Sequence, residues 1–520
     1  MDTLQSEEKL IGLPEELKAY IFGHLTATDL CHVALCNRIL RESANQDALW
    51  RLLCRKNGWE RYGTNLCKEP PFTPTLHDQL TGGEGGSPTF PVDAVVTGSD
   101  WPGLVDTCKW KEVYMKARHL EENWRNQRFY ATTFKFGQTS DETGLFAVET
   151  LDQPKISNLD CEGGCLAVGV DDGTLQIWDV SIGKRRHNIR VNVSEEPDAL
   201  KMKDGIIAAG CMDGKIRTYS AQTGEQLQVM SGHYLAVSRL FFDGDTIVSV
   251  ARRLLDRSKN YADSGIRVCK AEDASTRFVL QYGCSKTSLI HLDYRTKVIA
   301  GAYSDNTIQI WDAENGSDIQ HIICDMKKLV SCYLGDGIVI GASKDFAVKI
   351  WKLESWECLR TFRVPLHPES NNFELIGAAP YAFNGELLVA ISRAHLTFMD
   401  LEGKLIGSIF NTHENHTGTF FTQDNSKFTT AHCFHGNKLI TGSSNTYSGK
   451  YDLWIVNPAM GVYGSGEVVS KMDLGGEAFA EFTGAFSPAW MNDTKVVFEG
   501  IDKESGFGPQ RPTIVIRHYW

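Results

Sequence analysis

No apolar run in the sequence approaches the roughly 18 residues that a membrane-crossing helix requires. The opening MDTLQSEEKL has neither the basic end nor the apolar stretch of a signal peptide, so the cytosol or nucleus is the expected location. A basic excess is also missing. Lys and Arg number 53 against 65 Asp and Glu, a formal net charge of -12, which argues against a general grip on phosphate backbones or acidic lipid headgroups. Neither nucleic acid nor membrane is an expected partner. The 14 cysteines are scattered and form no dense framework, so they read as reduced thiols serving as small core residues.

Chemical signatures are equally sparse. Cys161 and Cys165 are four apart and His432, Cys433 and His435 sit together, but neither group has the paired spacing of a zinc site. His432 and Cys433 are neighbours on a predicted strand and point to opposite faces. The chain has no phosphate-cradling glycine loop, nucleophile elbow or metal-binding helix signature. No catalytic residue, metal or cofactor is expected.

What is present is order in three regions. With 520 residues, 42% of them hydrophobic, the chain is long enough for a large core and too long for one ordinary domain. Residues 9–60 read as helices. In LPEELKAYIFGHLTATDL, Leu13, Leu17, Ile21 and Leu25 share one stripe. Pro14 suits the first helical position, and Glu15 and Glu16 suit the positive end of the helix dipole. Thr28 or Asp29 is expected to cap a second helix carrying Leu30, Val33 and Ala34. Asp47 precedes a third with Leu49, Trp50, Leu52 and Leu53. Three short helices make a small core, which leaves this region either a docking module or a helical cap on a larger domain.

Residues 61–108 change to PPFTPT, GGEGGSP and SDWPG, the composition of a flexible insertion. Thr73-Pro74 and Ser87-Pro88 are possible sites for proline-directed phosphorylation. Helical order returns over 109–127, where Trp110, Val113, Tyr114, Ala117, Leu120 and Trp124 follow three-four spacing and predict a long buried face.

Residues 128–520 are predicted strands and turns with an internal repeat. DDGTLQIWD at 171–179 returns as SDNTIQIWD at 304–312 and KDFAVKIWK at 344–352. Trp178, Tyr219, Cys269, Trp311, Trp351, Met399, Trp454 and Arg517 mark equivalent points, about forty residues apart at first and more widely later. Each copy follows one apolar strand and most lead into another, so a unit holds four strands, as a propeller blade does. Eight blades are expected, with seven plus an irregular segment as the alternative. RFYATTFKF at 128–136 has no unit of its own, and TIVIRHYW at the end lacks a following strand; pairing the two would close the ring.

The IWD triplets at 177–179 and 310–312, with Gly232-His233 before a unit, resemble WD repeats. LPEELKAYIFGHLTATDLCHVALCNRIL followed by DALWRLLCRKNGW resembles an F-box, with the family's usual tryptophan replaced near Ile39 by an apolar residue expected to keep the buried contact. WKEVYMKARHLEENWR is similar to the linker of F-box/WD-repeat proteins. The resemblance implies a small all-α F-box and linker helix followed by an all-β WD-repeat propeller. It further implies a substrate receptor of a cullin-RING, SCF-type ubiquitin ligase. The F-box would dock on a Skp-type adaptor through Leu13, Pro14, Leu17, Ile21, Leu25, Leu30, Leu49 and Trp50, and reach cullin and the RING subunit through it. The propeller would hold a protein substrate, with catalysis by proximity and no chemistry of its own. A scaffold without ubiquitin-ligase output, or a propeller enzyme, are the other readings. His233 reads as a structural hydrogen-bonding residue.

Members of the resembled family read phosphorylated motifs with arginines at strand starts and before the blade aspartate, where a fork of donors matches phosphate. Here the strand starts are Ser157, Ala199, Ser238, Ser331 and Thr430, and the positions before the aspartates are Asp171, Met212, Ser304 and Lys344. Only Lys344 is basic. Arg239 lies one residue beyond a strand start, and Arg252, Arg253, Arg257 and Lys259 crowd one loop, either as solvated surface or as a phosphate reader. Arg239, Arg252, Arg253 and Lys344 are the candidate substrate contacts, and mixed polar and apolar contacts are expected in preference to phosphate recognition.

Overall fold

Local chemistry accounts for the N-terminal helices. In the computed structural model Pro14 stands just before α1 (Glu15–Phe22), with Glu15 and Glu16 in the first turn, where unpaired N–H groups favour carboxylates. α2 (Ala27–Cys36) is capped by Thr26. The Thr26 hydroxyl accepts from the Asp29 N–H at 3.2 Å, and the Asp29 carboxylate accepts the Thr26 N–H at 3.1 Å, a closed capping box. Thr28 is therefore inside the helix, and Asp29 completes the cap from the third position. A helix that sequence periodicity misses, α3 (Arg38–Ala44), starts at Asn37, whose Oδ1 accepts from the Leu40 N–H at 2.9 Å; seven residues are too few to display a period. Asp47 is the first residue of α4 (Asp47–Lys56).

Phe22, Leu30, Ala34, Leu40, Ala44, Leu49, Trp50 and Leu53 close one core. The short α5 (Tyr62–Asn65) falls where the flexible insertion was expected to begin, yet Tyr62 is fully buried and donates to Glu121 Oε1 at 3.0 Å. The ordered unit thus extends past residue 61. Glu121 lies on α6 (Lys109–Arg125), which buries Val113, Ala117, Leu120 and Trp124 as the spacing predicts. Tyr114 meets Trp50 and Trp59 at ring distances of 5.3 and 5.1 Å. Lys111 lies over the Trp50 ring and donates to Asn45 Oδ1 at 2.9 Å. The last residues of the chain belong to this unit: Trp124 stacks on Tyr519 at 3.7 Å, and Asn123 donates to the Tyr519 carbonyl at 3.0 Å.

The structure describes residues 10–65, 108–126, 128–135, 156–181, 183–191, 197–230, 232–251, 265–273, 275–281, 287–364, 381–391, 395–410, 429–443, 451–456, 469–473, 486–503 and 510–520. Thr73-Pro74 and Ser87-Pro88 lie outside them. Two compact units are present, one of residues 1–131, 455–472 and 517–520 and one of residues 132–454 and 473–516.

The second unit is built from four-stranded sheets, the architecture of a β-propeller, and the described residues form eight such sheets. Seven take their strands in chain order, as in the first, with Ile156–Glu162, Cys165–Val170, Thr174–Asp179 and Lys184–Arg190. The remaining sheet takes Phe486–Met491, Lys495–Lys503 and Gln510–His518 from the end of the chain and its outer strand from Tyr130–Lys135. This is the pairing expected of the two orphan strands. The repeat also lands in register: Trp178, Trp311 and Trp351 sit opposite Leu166, Ile299 and Val339. Tyr219, Cys269 and Met399 sit opposite Ile207, Ile247 and Leu388.

Among the described residues, apolar side chains of successive sheets pack against one another. Leu175 and Ile177 pack with Met202 and Ile207, Ile216 with Leu240, Val268 with Ile299, Ile310 with Val339, and Val348 with Leu388. First strands lie beside first strands. The series returns on itself, because strand Phe486–Met491 packs against Ile156–Glu162, where Phe134, Trp178 and Ile514 share a cluster. Polar clamps tie neighbours 42 and 41 residues apart: Asp160 accepts the Met202 N–H at 2.8 Å and Asp293 the Leu334 N–H at 2.7 Å. Asp243 accepts from Tyr294 Oη at 2.6 Å and pairs with Lys297 at 2.9 Å. Burial pushes the Asp243 carboxyl up, but the donors around it, Tyr294 foremost, outweigh burial and hold it at about 2. His233 meets Ser249 Oγ at 2.9 Å in a buried position, the structural role expected of it.

The turns after the second strands share a left-handed residue, Gly173, Gly214, Asn306 and Phe346 in four of the sheets. Phe346, at φ 67°, is the costly one, at about 1–2 kcal/mol of backbone strain. Its ring offsets this by burial among Tyr333, Ile340 and Val348.

Candidate functional site

Among the described residues, two surfaces stand out once the cores are closed, one in each unit. On α1, Leu17, Tyr20 and Ile21 are 50%, 70% and 40% exposed. Their spacing puts them with His24 on one helical face, and the Tyr20 and His24 rings meet edge-on at 5.1 Å. Leu35 on α2 is 74% exposed. Three large apolar side chains left open on one short helix face have the chemistry of an interaction face. Pro14 is exposed beside it, and Leu13 and Leu25 are half-buried.

Leu30, Leu49 and Trp50, expected on the same docking face, belong instead to the unit's own core. Helical spacing identifies an apolar stripe and does not reveal which neighbour covers it. Ile39 on α3, expected to keep a buried contact, is half exposed.

In the sheet unit the first strands carry β-bulges near their starts, between Ile156 and Asn158, Pro197 and Ala199, Val237 and Arg239, and Leu289 and His291. A bulge re-aims the side chain that follows it. Those four residues line a cavity of about 440 Å³ to which first strands of six successive sheets contribute. Lys201 and Arg239 supply the basic side; His291, Tyr333 and Phe383 supply an aromatic side, with ring distances of 5.0 Å from His291 to Tyr333 and 5.9 Å from Tyr333 to Phe383. Burial, then the Arg239 charge, pushes the His291 imidazole down to about 4, so it is neutral near pH 7. Burial pushes the Asp293 carboxyl up, opposed by the backbone N–H groups of Leu334 and Tyr294.

Arg239 is thus the one sequence-picked substrate residue that the structure places on this cavity. Arg252 and Arg253, with Arg257 and Lys259, lie outside the described residues. Lys344 is exposed in the turn between Ile338–Ser343 and Ala347–Lys352, its backbone N–H donating to the Lys328 carbonyl at 2.7 Å, and it does not line the cavity. Sequence reasoning missed Lys201, His291, Tyr333 and Phe383. The available signal was their shared place in the first strand of each repeat.

A model of the F-box-like family matches residues 10–56. Among curated relatives, a probable E3 ubiquitin ligase complex SCF subunit, sconB of Aspergillus fumigatus, is 25% identical over 208 residues, covering 34% of this chain and 29% of that protein. Mitochondrial division protein 1 of Candida glabrata is 28% identical over 149 residues, 22% of this chain and 21% of the relative. The sterol regulatory element-binding protein cleavage-activating protein of Xenopus laevis is 23% identical over 221 residues, 38% of this chain and 17% of the relative. Each match spans less than a third of the relative's length. The chain therefore combines an N-terminal F-box-like domain with an all-β region of four-stranded sheets and is similar to SCF ubiquitin ligase subunits.

Proposed function

We propose that this chain is the substrate-recognition subunit of an SCF-type ubiquitin ligase, acting in the cytosol or nucleus. The F-box-like domain docks on a Skp-type adaptor through Leu17, Ile21 and their exposed neighbours, and the adaptor connects it to cullin and the RING subunit. The propeller holds a protein substrate. Catalysis is then proximity, with ubiquitin transfer performed by other subunits. The observation that carries this reading is the apolar face left open on α1 of an F-box-like domain, since an apolar helix face seats well in a partner's groove.

Affinity purification of the full chain tests it. The expected result is recovery of a Skp-type adaptor with cullin, loss of both on deletion of residues 10–56, and accumulation of specific proteins in cells carrying only the deleted form. Recovery of an adaptor without cullin and with no protein accumulating would favour a scaffold without ubiquitin output.

A further inference from the structure

We infer that the cavity between the first strands is the substrate-reading site and that it takes an unphosphorylated segment presenting one carboxylate beside an aromatic or aliphatic side chain. This rests on the propeller being the substrate-holding part of the chain. The cavity has two unlike sides. Arg239, on strand Val237–Phe242, is exposed and makes no hydrogen bond or ion pair among the described residues, so its planar fork is open to a carboxylate. Lys201, on the neighbouring strand Pro197–Lys203, is exposed beside it. Across from them, His291, Tyr333 and Phe383 form a run of rings on three successive sheets, a surface suited to an apolar side chain. Met212 and Tyr234, 44% and 84% exposed, stand in segments joined to that same edge of the second and third sheets, Tyr234 just ahead of the strand bearing Arg239 and Met212 just after Ile206–Cys211.

Charge decides between a carboxylate and a phosphate. Burial pushes the Asp160 carboxyl up and the nearby Lys201 charge opposes that shift, and Asp293 lines the cavity with a carboxyl of its own. His291 adds no positive charge near pH 7. One open guanidinium and one partly offset ammonium match a single negative charge. A phosphate dianion would bring a second charge toward Asp293 with no further donor fork to receive it.

The test is selection of a random displayed peptide library on the full chain, in parallel for wild type and Arg239→Glu. Winners are then resynthesised with the acidic residue as Glu, Gln or phosphoserine. Wild type is expected to enrich an Asp or Glu next to an aromatic or aliphatic residue. Glu to Gln in the peptide should weaken binding about tenfold, and the phosphoserine form should bind no tighter than Glu. Arg239→Glu should reverse the preference from acidic to basic at that position. Arg239→Gln should erase the preference while melting at the wild-type temperature, which separates loss of charge from loss of fold. No enrichment, no acidic preference, or a preference unchanged by Arg239→Glu would overturn the inference. Phosphoserine binding more than about tenfold tighter than Glu would replace it with phosphate recognition. Adaptor capture is measured on the same wild-type sample. Capture without acidic preference sinks this site alone, and acidic preference without capture sinks the ligase reading alone.

Discussion

In the helical unit, residues from Phe22 to Leu53 close one small core, and Leu17, Tyr20, Ile21 and Leu35 are left outside it. In the sheet unit each sheet packs against a neighbour on either side, and the series returns on itself at strands Phe486–Met491 and Ile156–Glu162. The difference follows from surface-to-volume scaling: about fifty residues cannot cover every apolar side chain they carry, whereas a closed repeat supplies each layer with its next. What is left open also differs in kind. The helices leave apolar side chains, suited to a stable apolar interface, and the sheets leave a cavity with charged and aromatic sides, suited to reading one partner among many.

Closure of the repeat can be broken at Phe134. Its ring is buried against Trp178 at 5.4 Å, in the outer strand that the N-terminal segment donates. Phe134→Ala should destabilise the sheet unit by about 3–5 kcal/mol, measured by chemical denaturation. If protease resistance and midpoint stayed unchanged, the donated strand would not secure the ring.

A smaller effect is expected at the polar clamp around Asp243. Its carboxyl lies below the ordinary range, at about 2, so its contribution is complete above the unfolded value near 4 and is lost as pH falls toward 2. Asp243→Asn should cost about 1–2 kcal/mol at neutral pH, allowing for partial exposure, and flatten that part of the acid limb. The check is the unfolding midpoint as a function of pH.

In the helical unit Thr26→Ala removes the hydroxyl half of the capping box on α2 and should cost about 1 kcal/mol. Thermal unfolding of the full chain should show the loss in the helical signal and leave the sheet signal in place. A matching loss in both would mean that the two regions do not unfold separately.

Much of this was legible in the sequence, for identifiable reasons. Trp178, Trp311 and Trp351 recur at one register of their third strands, opposite Leu166, Ile299 and Val339, and recurrence survives without coordinates. The orphan strand at 128–136 and the unfinished last repeat pointed to each other. Other features depend on what lies next to what. Leu30, Leu49 and Trp50 have the spacing of a docking face, but their own neighbouring helices cover them. Arg239 looked displaced by one residue from the strand start because the register shifts between Val237 and Arg239. That shift places it on the cavity with Lys201, Tyr333 and Phe383, residues that in sequence are ordinary members of alternating strands.

The most direct test of the account is the affinity of the full chain for a Skp-type adaptor with Ile21 replaced by Asp. Ile21 is on the open face of α1 and outside the helical core, so the variant should keep its helical content and melting temperature. A carboxylate there should cost a few kcal/mol in an apolar interface, weakening adaptor binding by about two to three decades in calorimetry. Unchanged affinity in a folded Ile21→Asp protein, or no adaptor binding by the wild type, would contradict the account.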